Sequence, residues 1–194
     1  MAKSLFAHRS PVLAALAAST LILQACSSDS AESGEETADV QDSTLAAAVA
    51  NAEGLSTVSD VLGDAGLAQI FDGAAAYTLL APRDSALEAL GETGETLRTD
   101  EHRPAMVAIL RHHIVPGYLT PEDISNAIGQ ADDGAVTMRT MGAETVTFTE
   151  AGDDIVVTSE DGSNARFAGE AVRTRNGVAI PVDGLLRKLP TPAT

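Results

Sequence analysis

The sequence lacks tryptophan and is poor in other aromatic residues, in cysteine and in basic residues. Aromatic residues make up 3% of its 194 positions, which is few for a protein that stacks bases or sugar rings on aromatic side chains. The lone Cys26 cannot form an intrachain disulfide, and it cannot supply the several thiolates of a cysteine-ligated zinc or iron–sulfur site. Lys and Arg number 12 against 28 Asp and Glu, and the net charge of −16 argues against binding nucleic acid through its phosphates.

The rest of the composition is that of a globular domain. Hydrophobic residues make up 44% of the chain and charged residues 21%, a balance that excludes a wholly disordered protein. A length of 194 residues leaves room for one domain of ordinary size or two small ones, and no strong repeat or second linker divides the chain. We therefore expect a single folded domain.

The first 25 residues have the pattern of an export signal. Lys3 and Arg9 make a cationic start, and the uncharged apolar stretch 12–23 is too short to span a hydrocarbon core of ~30 Å. Residues 23–26 read Leu-Gln-Ala-Cys, which resembles the lipobox of bacterial lipoproteins, where the signal is cut before the cysteine and lipid is attached to it. The resemblance predicts that residues 1–25 are a lipoprotein signal peptide and that Cys26 is lipidated. An ordinary signal peptide with an incidental cysteine, or a buried free thiol, is the alternative.

An acidic segment follows the predicted lipidation site. Residues 27–43 hold six acidic residues, no basic residue and one large apolar residue, Val40. Such a segment cannot bury enough apolar surface to offset the ordering of the chain, and its like charges keep it extended. We expect residues 26–43 to be a disordered tether, residues 44–190 to form the domain, and residues 191–194 to be a short tail.

Helical signals dominate the first half of the domain. The apolar residues of segment 58–65 recur at i, i+3, i+4 and i+7, with Ser56 or Thr57 available as the capping residue. Segment 106–110 indicates another helix, and Thr120-Pro121 followed by two acidic residues is typical of a helix start.

Strand signals dominate the second half. Segments 145–149 and 155–158 are rich in β-branched residues and are separated by turn residues, which predicts a hairpin. Asp161-Gly162 and Asn176-Gly177 indicate two further turns. Helices followed by strands predict an α+β fold with a mostly antiparallel sheet.

Three segments, in this order and spacing, resemble the fasciclin-like (FAS1) domain. Residues 77–87 read Tyr-Thr-Leu-Leu-Ala-Pro-Arg-Asp-Ser-Ala-Leu, residues 109–117 read Ile-Leu-Arg-His-His-Ile-Val-Pro-Gly, and residues 176–186 read Asn-Gly-Val-Ala-Ile-Pro-Val-Asp-Gly-Leu-Leu. The resemblance covers residues 44–190 and implies one domain with helices packed on a β-sandwich-like core. The motif positions that it assigns to the fold are Thr78, Ala81, Pro82, Asp84, His113, Pro116, Gly117, Asn176, Gly177 and Asp183.

Local physical roles can be proposed for several motif positions. Pro82 is expected to end a buried strand, since proline cannot donate to the ladder, and Asp84 is expected to cap the helix that follows. Pro116-Gly117 is expected to end another strand with a turn. Asn176-Gly177 is expected to adopt the positive φ angles of a tight hairpin. These roles are structural and imply a shape more than an activity.

The sequence also departs from the family pattern. The family's Tyr-His pair reads His112-His113, and the family histidine of the last segment reads Ile180. Pro181 stands where a β-branched residue is usual, which predicts an edge strand or a bulge. Residues 170–174 lack the Asp-Ile pair that some animal members carry there and that is linked to integrin adhesion, so integrin-type adhesion is unsupported.

Candidate chemistry is sparse. On a strand His112 and His113 would point to opposite faces, so we expect one histidine in the core, one on the surface, and no shared metal. Asp132-Asp133 and Asp153-Asp154 lack the spacing of an EF-hand and are expected to be solvated turns. No nucleophile elbow, zinc-protease motif or phosphate-binding glycine loop is present in the sequence. The sequence therefore predicts no catalytic residue, no metal and no cofactor.

Two functions follow from the sequence and the resemblance. The first is an exported lipoprotein, anchored to the cell or outer membrane through Cys26, that presents its domain in the periplasm or at the cell surface for adhesion or protein or matrix interaction. The alternative is a carrier of an apolar small molecule such as a pigment or a lipid.

Overall fold

A computed structural model describes residues 41–189. The predicted signal peptide, Cys26, most of the predicted tether and the tail 191–194 lie outside the described residues.

The helices lie mainly in the first half of this part of the chain. The α-helices are α1 (Leu45–Asn51), α2 (Ser56–Asp64), α3 (Ala68–Phe71), α4 (Asp84–Glu88), α5 (Glu92–Leu97), α6 (Arg103–His112) and α7 (Pro121–Gln130), and a 3-10 turn at Asp100–His102 precedes α6. The strands are β1 (Tyr77–Pro82), β2 (Ile114–Pro116), β3 (Ala135–Arg139), β4 (Thr145–Ala151), β5 (Asp154–Ser159), β6 (Asn164–Arg166), β7 (Val172–Thr174) and β8 (Gly177–Val182). The predicted α+β class is confirmed.

The strands form two four-stranded sheets. The order is β2-β1-β8-β7 in the first sheet and β3-β4-β5-β6 in the second, and the second is an antiparallel meander that contains the predicted β4–β5 hairpin. The first sheet has one parallel pair at its centre, β1 against β8, in register from Tyr77–Gly177 to Pro82–Val182. This pair places the first and last family-like segments side by side, although about 100 residues separate them in the chain.

The first sheet is buried on both faces. Leu79 and Ala81 of β1 pack in a cluster with the helices of the first half, whereas Leu80 packs in a second cluster with residues of the other sheet, such as Phe148, and with Ile124 of α7. Burial on both faces explains why β1 is a continuous apolar run and does not alternate with polar residues.

The prediction that Pro181 marks an edge strand or a bulge is wrong. β8 is an interior strand, paired with β1 on one side and with β7 on the other. The last pair between β7 and β8 is Val172–Ala179, so Pro181 lies beyond the end of β7, where its carbonyl accepts a hydrogen bond from the N–H of Ala168. Its nitrogen faces the same side as its carbonyl, beyond the end of the β7–β8 pairing, so the missing N–H breaks no bond between β7 and β8.

The predicted start of α7 is confirmed. The Thr120 hydroxyl accepts from the N–H of Asp123, and the Asp123 carboxylate accepts from the N–H of Thr120, which is a reciprocal capping box. Pro121 occupies the first turn.

The ordered domain begins slightly before the predicted boundary at residue 44. The N–H of Gln41 donates to the carbonyl of Arg173, and the N–H of Arg175 donates to the carbonyl of Ser43. The last three residues of the segment predicted as a tether therefore lie against β7 and extend the edge of the first sheet.

Candidate functional site

Asp84 links α2 and α4: it belongs to α4, but its side chain caps α2, which lies earlier in the chain. Its carboxylate accepts from the N–H and hydroxyl of Ser56 and from the N–H of Thr57, at 2.8–3.1 Å. Burial works to raise the pKa of the Asp84 carboxyl, but the hydrogen bonds from Thr57 and Ser56 hold it below its ordinary value. Two predictions are therefore wrong: Asp84 does not cap α4, of which it is the first residue, and neither Ser56 nor Thr57 caps α2 with its own side chain.

Substituting Asp84 with alanine is expected to lower the free energy of unfolding by about 2 kcal/mol, because the first amides of α2 lose their acceptor. Asp84→Asn keeps one acceptor oxygen and should lose about half as much. Glu88→Ala, on the exposed side of α4, is the matched control and should change stability by less than ~0.5 kcal/mol. Urea denaturation followed by circular dichroism measures all three, and an Asp84→Ala loss no larger than that of the control would contradict the capping role.

Asn176 holds the turn between β7 and β8 against two helix ends. Its side-chain oxygen accepts from the N–H of Leu45 at 2.9 Å, and its amide nitrogen donates to the carbonyls of Phe71 and Gly73. Leu45 is the first residue of α1 and Phe71 the last of α3, so one side chain satisfies backbone groups that neither helix can satisfy itself.

Gly177 is needed for space rather than for a positive φ angle. Neither Asn176 nor Gly177 adopts a positive φ angle, so the predicted backbone of this turn is wrong. A Cβ atom at position 177 would lie 2.5 Å from the carbonyl oxygen of Tyr77 and 2.8 Å from Cδ2 of Leu45. The parallel neighbour β1 and helix α1 approach too closely for any side chain here.

The other motif residues also make structural contacts. The Thr78 hydroxyl donates to the carbonyl of Gly117 and accepts from the N–H of Leu119, which fixes the turn after β2, where Gly117 has φ +117°. The Asp183 carboxylate accepts from the N–H of Arg166 at 2.7 Å and so ties the end of β8 to β6. Ala81 is fully buried, Pro82 is the last residue of β1, and Pro116 ends β2.

His113 is an uncharged, buried residue whose ring is hydrogen-bonded to two separate segments of the chain. Its Nδ1 lies 2.9 Å from the carbonyl oxygen of Ile109, and its Nε2 lies 3.0 Å from the backbone nitrogen of Leu186. The carbonyl can only accept and the amide can only donate, so the proton sits on Nδ1. Burial lowers the pKa of His113 to about 4, against the opposing hydrogen bond to Ile109. The ring joins the end of α6 to the segment after β8.

His112 corrects the predicted placement of the histidine pair. The two histidines do not lie on a strand, because α6 continues to His112 and His113 is its C-cap residue. His113 is in the core as expected, but His112 is not on the surface, since only 8% of it is exposed. The apolar positions of α6 keep helical spacing through this segment, and that periodicity outweighs the β-branched residues that follow.

The His112 ring packs against two charged residues that the sequence did not single out. Its Nδ1 lies 3.4 Å from Oε2 of Glu144 and its Nε2 lies 3.3 Å from Nη1 of Arg187, while Arg187 Nη1 also donates to Oε1 of Glu144 at 2.5 Å. The hydrogen bond to Glu144 raises the pKa of Arg187 above its ordinary value. Glu144 and Arg187 lie in loops with no local motif, so only long-range contact reveals them.

Contacts with neighbouring residues hold the His112 ring in a fixed position. A guanidinium nitrogen has no lone pair to offer, so Nε2 of His112 is the acceptor in its contact with Arg187. On the other side of the ring, Nδ1 of His112 and Oε2 of Glu144 lie 3.4 Å apart and make no hydrogen bond. Gly142 permits the packing, because a Cβ there would lie 2.5 Å from His112 Nδ1.

A groove lies beside this cluster. It has a volume of about 570 Å³ and lies between α5, α6 and the segment Arg187–Leu189. Its apolar lining consists of Leu97, Ala105, Ala108, Ile109 and Leu189. Two other concavities of similar size are lined mainly by polar residues, one between α2 and the segment after α5 and one between α7 and the β4–β5 hairpin. The α5–α6 groove is therefore the one among the three whose walls suit an apolar ligand.

Two further features concern metals and membranes. Within residues 41–189, no three side chains of the His, Cys, Asp or Glu type are grouped closely enough to hold a metal ion. None of the helices in that same part of the chain combines the length and apolar character needed to cross a membrane.

Comparison with known proteins identifies the fold. The Fasciclin domain family model matches residues 53–188. Among solved structures, the chain is similar to a FAS1 domain pair from the insect cell adhesion molecule Fasciclin I, with a TM-score of 0.65 and 13% sequence identity. The match covers 76% of this chain and 52% of that chain, so this chain spans about half the length of the domain pair. No curated protein sequence matches. At this identity the structural similarity concerns the fold alone.

Proposed function

Because the chain belongs to the fasciclin domain family, we propose that it presents a single fasciclin domain outside the cytoplasm for adhesion, held to a membrane by lipid on Cys26. The observation that carries the proposal is the family match over residues 53–188, which accounts for nearly all of the described domain. Fasciclin domains have adhesion-type roles and are typically extracellular or at the cell surface. The partner is a protein or a matrix component, and the acidic surface disfavours nucleic acid.

The spacing between Cys26 and the domain supports a tethered arrangement. The first contact of the described chain with the domain is made by Gln41, fifteen residues after Cys26. A chain of that length can reach at most ~50 Å, enough to separate the domain from the bilayer surface. A stable lipid anchor on Cys26 would need more than one acyl chain, since a single acyl chain binds a membrane only marginally.

Cys26→Ser should release the protein from the membrane, because the thiol that would carry the lipid is gone. Detergent-phase partitioning and intact mass of the purified protein test this: the unaltered chain should enter the detergent phase with an N-terminus at an acylated cysteine. Ser30→Ala, four residues further along, is the control and should partition as the unaltered chain does. A Cys26→Ser protein that remains in the detergent phase would overturn the anchor.

Adhesion itself is tested with the same variant. Cells that produce the unaltered chain should attach to matrix-coated surfaces or to one another more than cells without it, and Cys26→Ser cells should behave like cells without the protein. Equal attachment of all three would contradict the proposed adhesion role.

A second candidate function, carriage of an apolar small molecule, is favoured by one observation, the groove between α5 and α6. Its volume lies within the range of small-molecule sites, and its walls are mainly apolar.

A further inference from the structure

Asn176 is the one asparagine of the chain that precedes a glycine. The other three, Asn51, Asn126 and Asn164, each precede an alanine. The backbone nitrogen that follows an asparagine can attack the carbon of its side-chain amide, and a following glycine hinders this attack least because it has no Cβ atom. In the unfolded chain, Asn176 is therefore the asparagine most prone to lose its amide nitrogen.

The fold gives these four residues the opposite order of accessibility. Asn51, Asn126 and Asn164 are exposed, whereas only 9% of Asn176 is exposed. The most reactive asparagine of the sequence is thus the one that the folded domain keeps from water.

The native hydrogen bonds of Asn176 also oppose the reaction. The amide nitrogen, which would have to leave, donates to the carbonyls of Phe71 and Gly73, and the side-chain oxygen accepts from the N–H of Leu45. Loss of the nitrogen breaks its two bonds in a buried site, where water cannot readily replace them.

We propose that Asn176 is a deamidation site that the folded domain protects and that reacts when the domain unfolds. The backbone nitrogen of Gly177 gives up its proton and bonds to Cγ of Asn176. The bond from Cγ to the amide nitrogen breaks, and that nitrogen takes up a proton and leaves as ammonia. Water then opens the cyclic imide at one of its two carbonyls, which leaves aspartate or isoaspartate at position 176.

Neither product fits the folded site. An aspartate places an oxygen against the carbonyl oxygens of Phe71 and Gly73 and buries a negative charge. An isoaspartate adds an atom to the main chain before Gly177, where even a Cβ atom would lie 2.5 Å from the carbonyl oxygen of Tyr77. The aspartyl form should therefore be less stable than the unaltered protein, and the isoaspartyl form should not refold.

The reaction makes unfolding irreversible with time. A chain that refolds before Asn176 reacts recovers its structure, whereas a chain converted to isoaspartate is lost from the folded population. The lifetime of the domain then depends on how often it unfolds. This inference goes beyond the adhesion role and does not depend on it.

A denaturant series tests the protection. The purified full chain is incubated at mildly alkaline pH over a range of guanidinium chloride concentrations, and mass spectrometry of its peptides detects the exchange of amide nitrogen for oxygen. Deamidation of Asn176 should be confined to concentrations at which circular dichroism shows unfolding. In the unfolded chain it should be several times faster than deamidation of Asn51, Asn126 and Asn164. Reaction of Asn176 in the folded protein at the rate of the unfolded chain would overturn the inference.

Two variants test whether unfolding is the step that admits the reaction. Asp84→Ala removes the cap of α2, away from the Asn176 turn, and should shift the unfolding curve and the deamidation curve to lower denaturant by the same amount. Glu88→Ala should shift neither curve. A shift of the unfolding curve alone would show that local opening of the turn is sufficient, and the proposed dependence on unfolding would be wrong.

Refolding tests the consequence. After partial reaction the denaturant is removed, and size-exclusion chromatography separates refolded chains from the rest. Reversed-phase chromatography of the peptides then distinguishes asparagine, aspartate and isoaspartate at position 176. Isoaspartate should be found only in chains that have not refolded. Its presence in equal proportion in the refolded chains would contradict the claim that this turn has no room for it.

Discussion

Asn176→Ala is expected to lower the free energy of unfolding by about 3–4 kcal/mol, one of the two largest effects expected for this protein. The substitution removes the acceptor of the Leu45 N–H and the donor to the Phe71 and Gly73 carbonyls. Only 9% of Asn176 is exposed, so water cannot readily replace these bonds. Each backbone group left without a partner in a buried site costs about 1–3 kcal/mol.

Asn176→Asp distinguishes the effect of losing the side-chain hydrogen bonds from the effect of losing side-chain volume. The aspartate has nearly the same shape and can still accept from Leu45, but it turns an oxygen toward two carbonyl oxygens and buries a negative charge. We expect it to be at least as destabilising as alanine at neutral pH. If Asn176→Asp were instead as stable as the unaltered protein, the hydrogen bonds assigned to the amide nitrogen would be wrong.

The measurement is urea denaturation followed by circular dichroism, since the chain has no tryptophan to report by fluorescence. Asn51→Ala is the matched control. Asn51 is exposed at the end of α1, where its amide donates to the carbonyl of Ala47, and its loss should change stability by less than ~0.5 kcal/mol.

Acidification from pH 7 to pH 5 is expected to cost about 2 kcal/mol of stability through His113. In the folded protein, burial lowers the pKa of this imidazole to about 4, against an unfolded value of about 6.5. Below pH 6.5 the unfolded chain therefore binds a proton at His113 that the folded protein does not bind. The stabilisation is fully present above that pH and is lost as the pH falls toward 4, to a total of about 3 kcal/mol.

The pH window identifies the group responsible. Carboxylates with lowered pKa values, such as Asp84 and Asp161, also destabilise the folded state in acid, but they act mainly below pH 5, where unfolded carboxyls become protonated. A loss of stability between pH 7 and pH 5 is therefore caused by protonation of histidine.

His113→Gln tests this assignment. The variant should be less stable than the unaltered protein at pH 7, because the hydrogen bond from the N–H of Leu186 is altered. Its stability should change little between pH 7 and pH 5. His102→Gln, at a half-exposed position, should keep the full dependence. A direct measurement is the NMR titration of the His113 ring, and titration near pH 6.5 would contradict the buried neutral state.

Local features of the fold could be predicted because their causes are local. The capping box at Thr120 and Asp123 lies within four residues, and the β4–β5 hairpin is specified by its own alternation and by the turn between its strands. The family-like segments carry the same kind of information over a longer range. They indicate the fasciclin fold, which the family match confirms.

Roles that depend on distant partners could not be predicted. Asp84 stands where a helix cap is expected, yet its carboxylate caps α2, 27 and 28 residues earlier in the chain. Gly177 follows an asparagine as in a tight hairpin turn, yet it is required because β1 and α1 pack against it. In both cases the residue type was informative and the reason assigned to it was wrong, since side-chain partners are chosen in three dimensions.

By itself, the sequence determined the α+β class, the concentration of helices in the first half and of strands in the second, and the fasciclin resemblance, because periodicity, capping and family patterns are encoded by neighbouring residues. The lipid anchor stays a prediction. Only the tertiary structure decided the parallel β1–β8 pair, the neutral state of His113, the cluster of His112 with Glu144 and Arg187, and the groove beside it. Each of these depends on burial or on contact between segments tens of residues apart. Desolvation and packing act through space, and no local pattern records which segments they bring together.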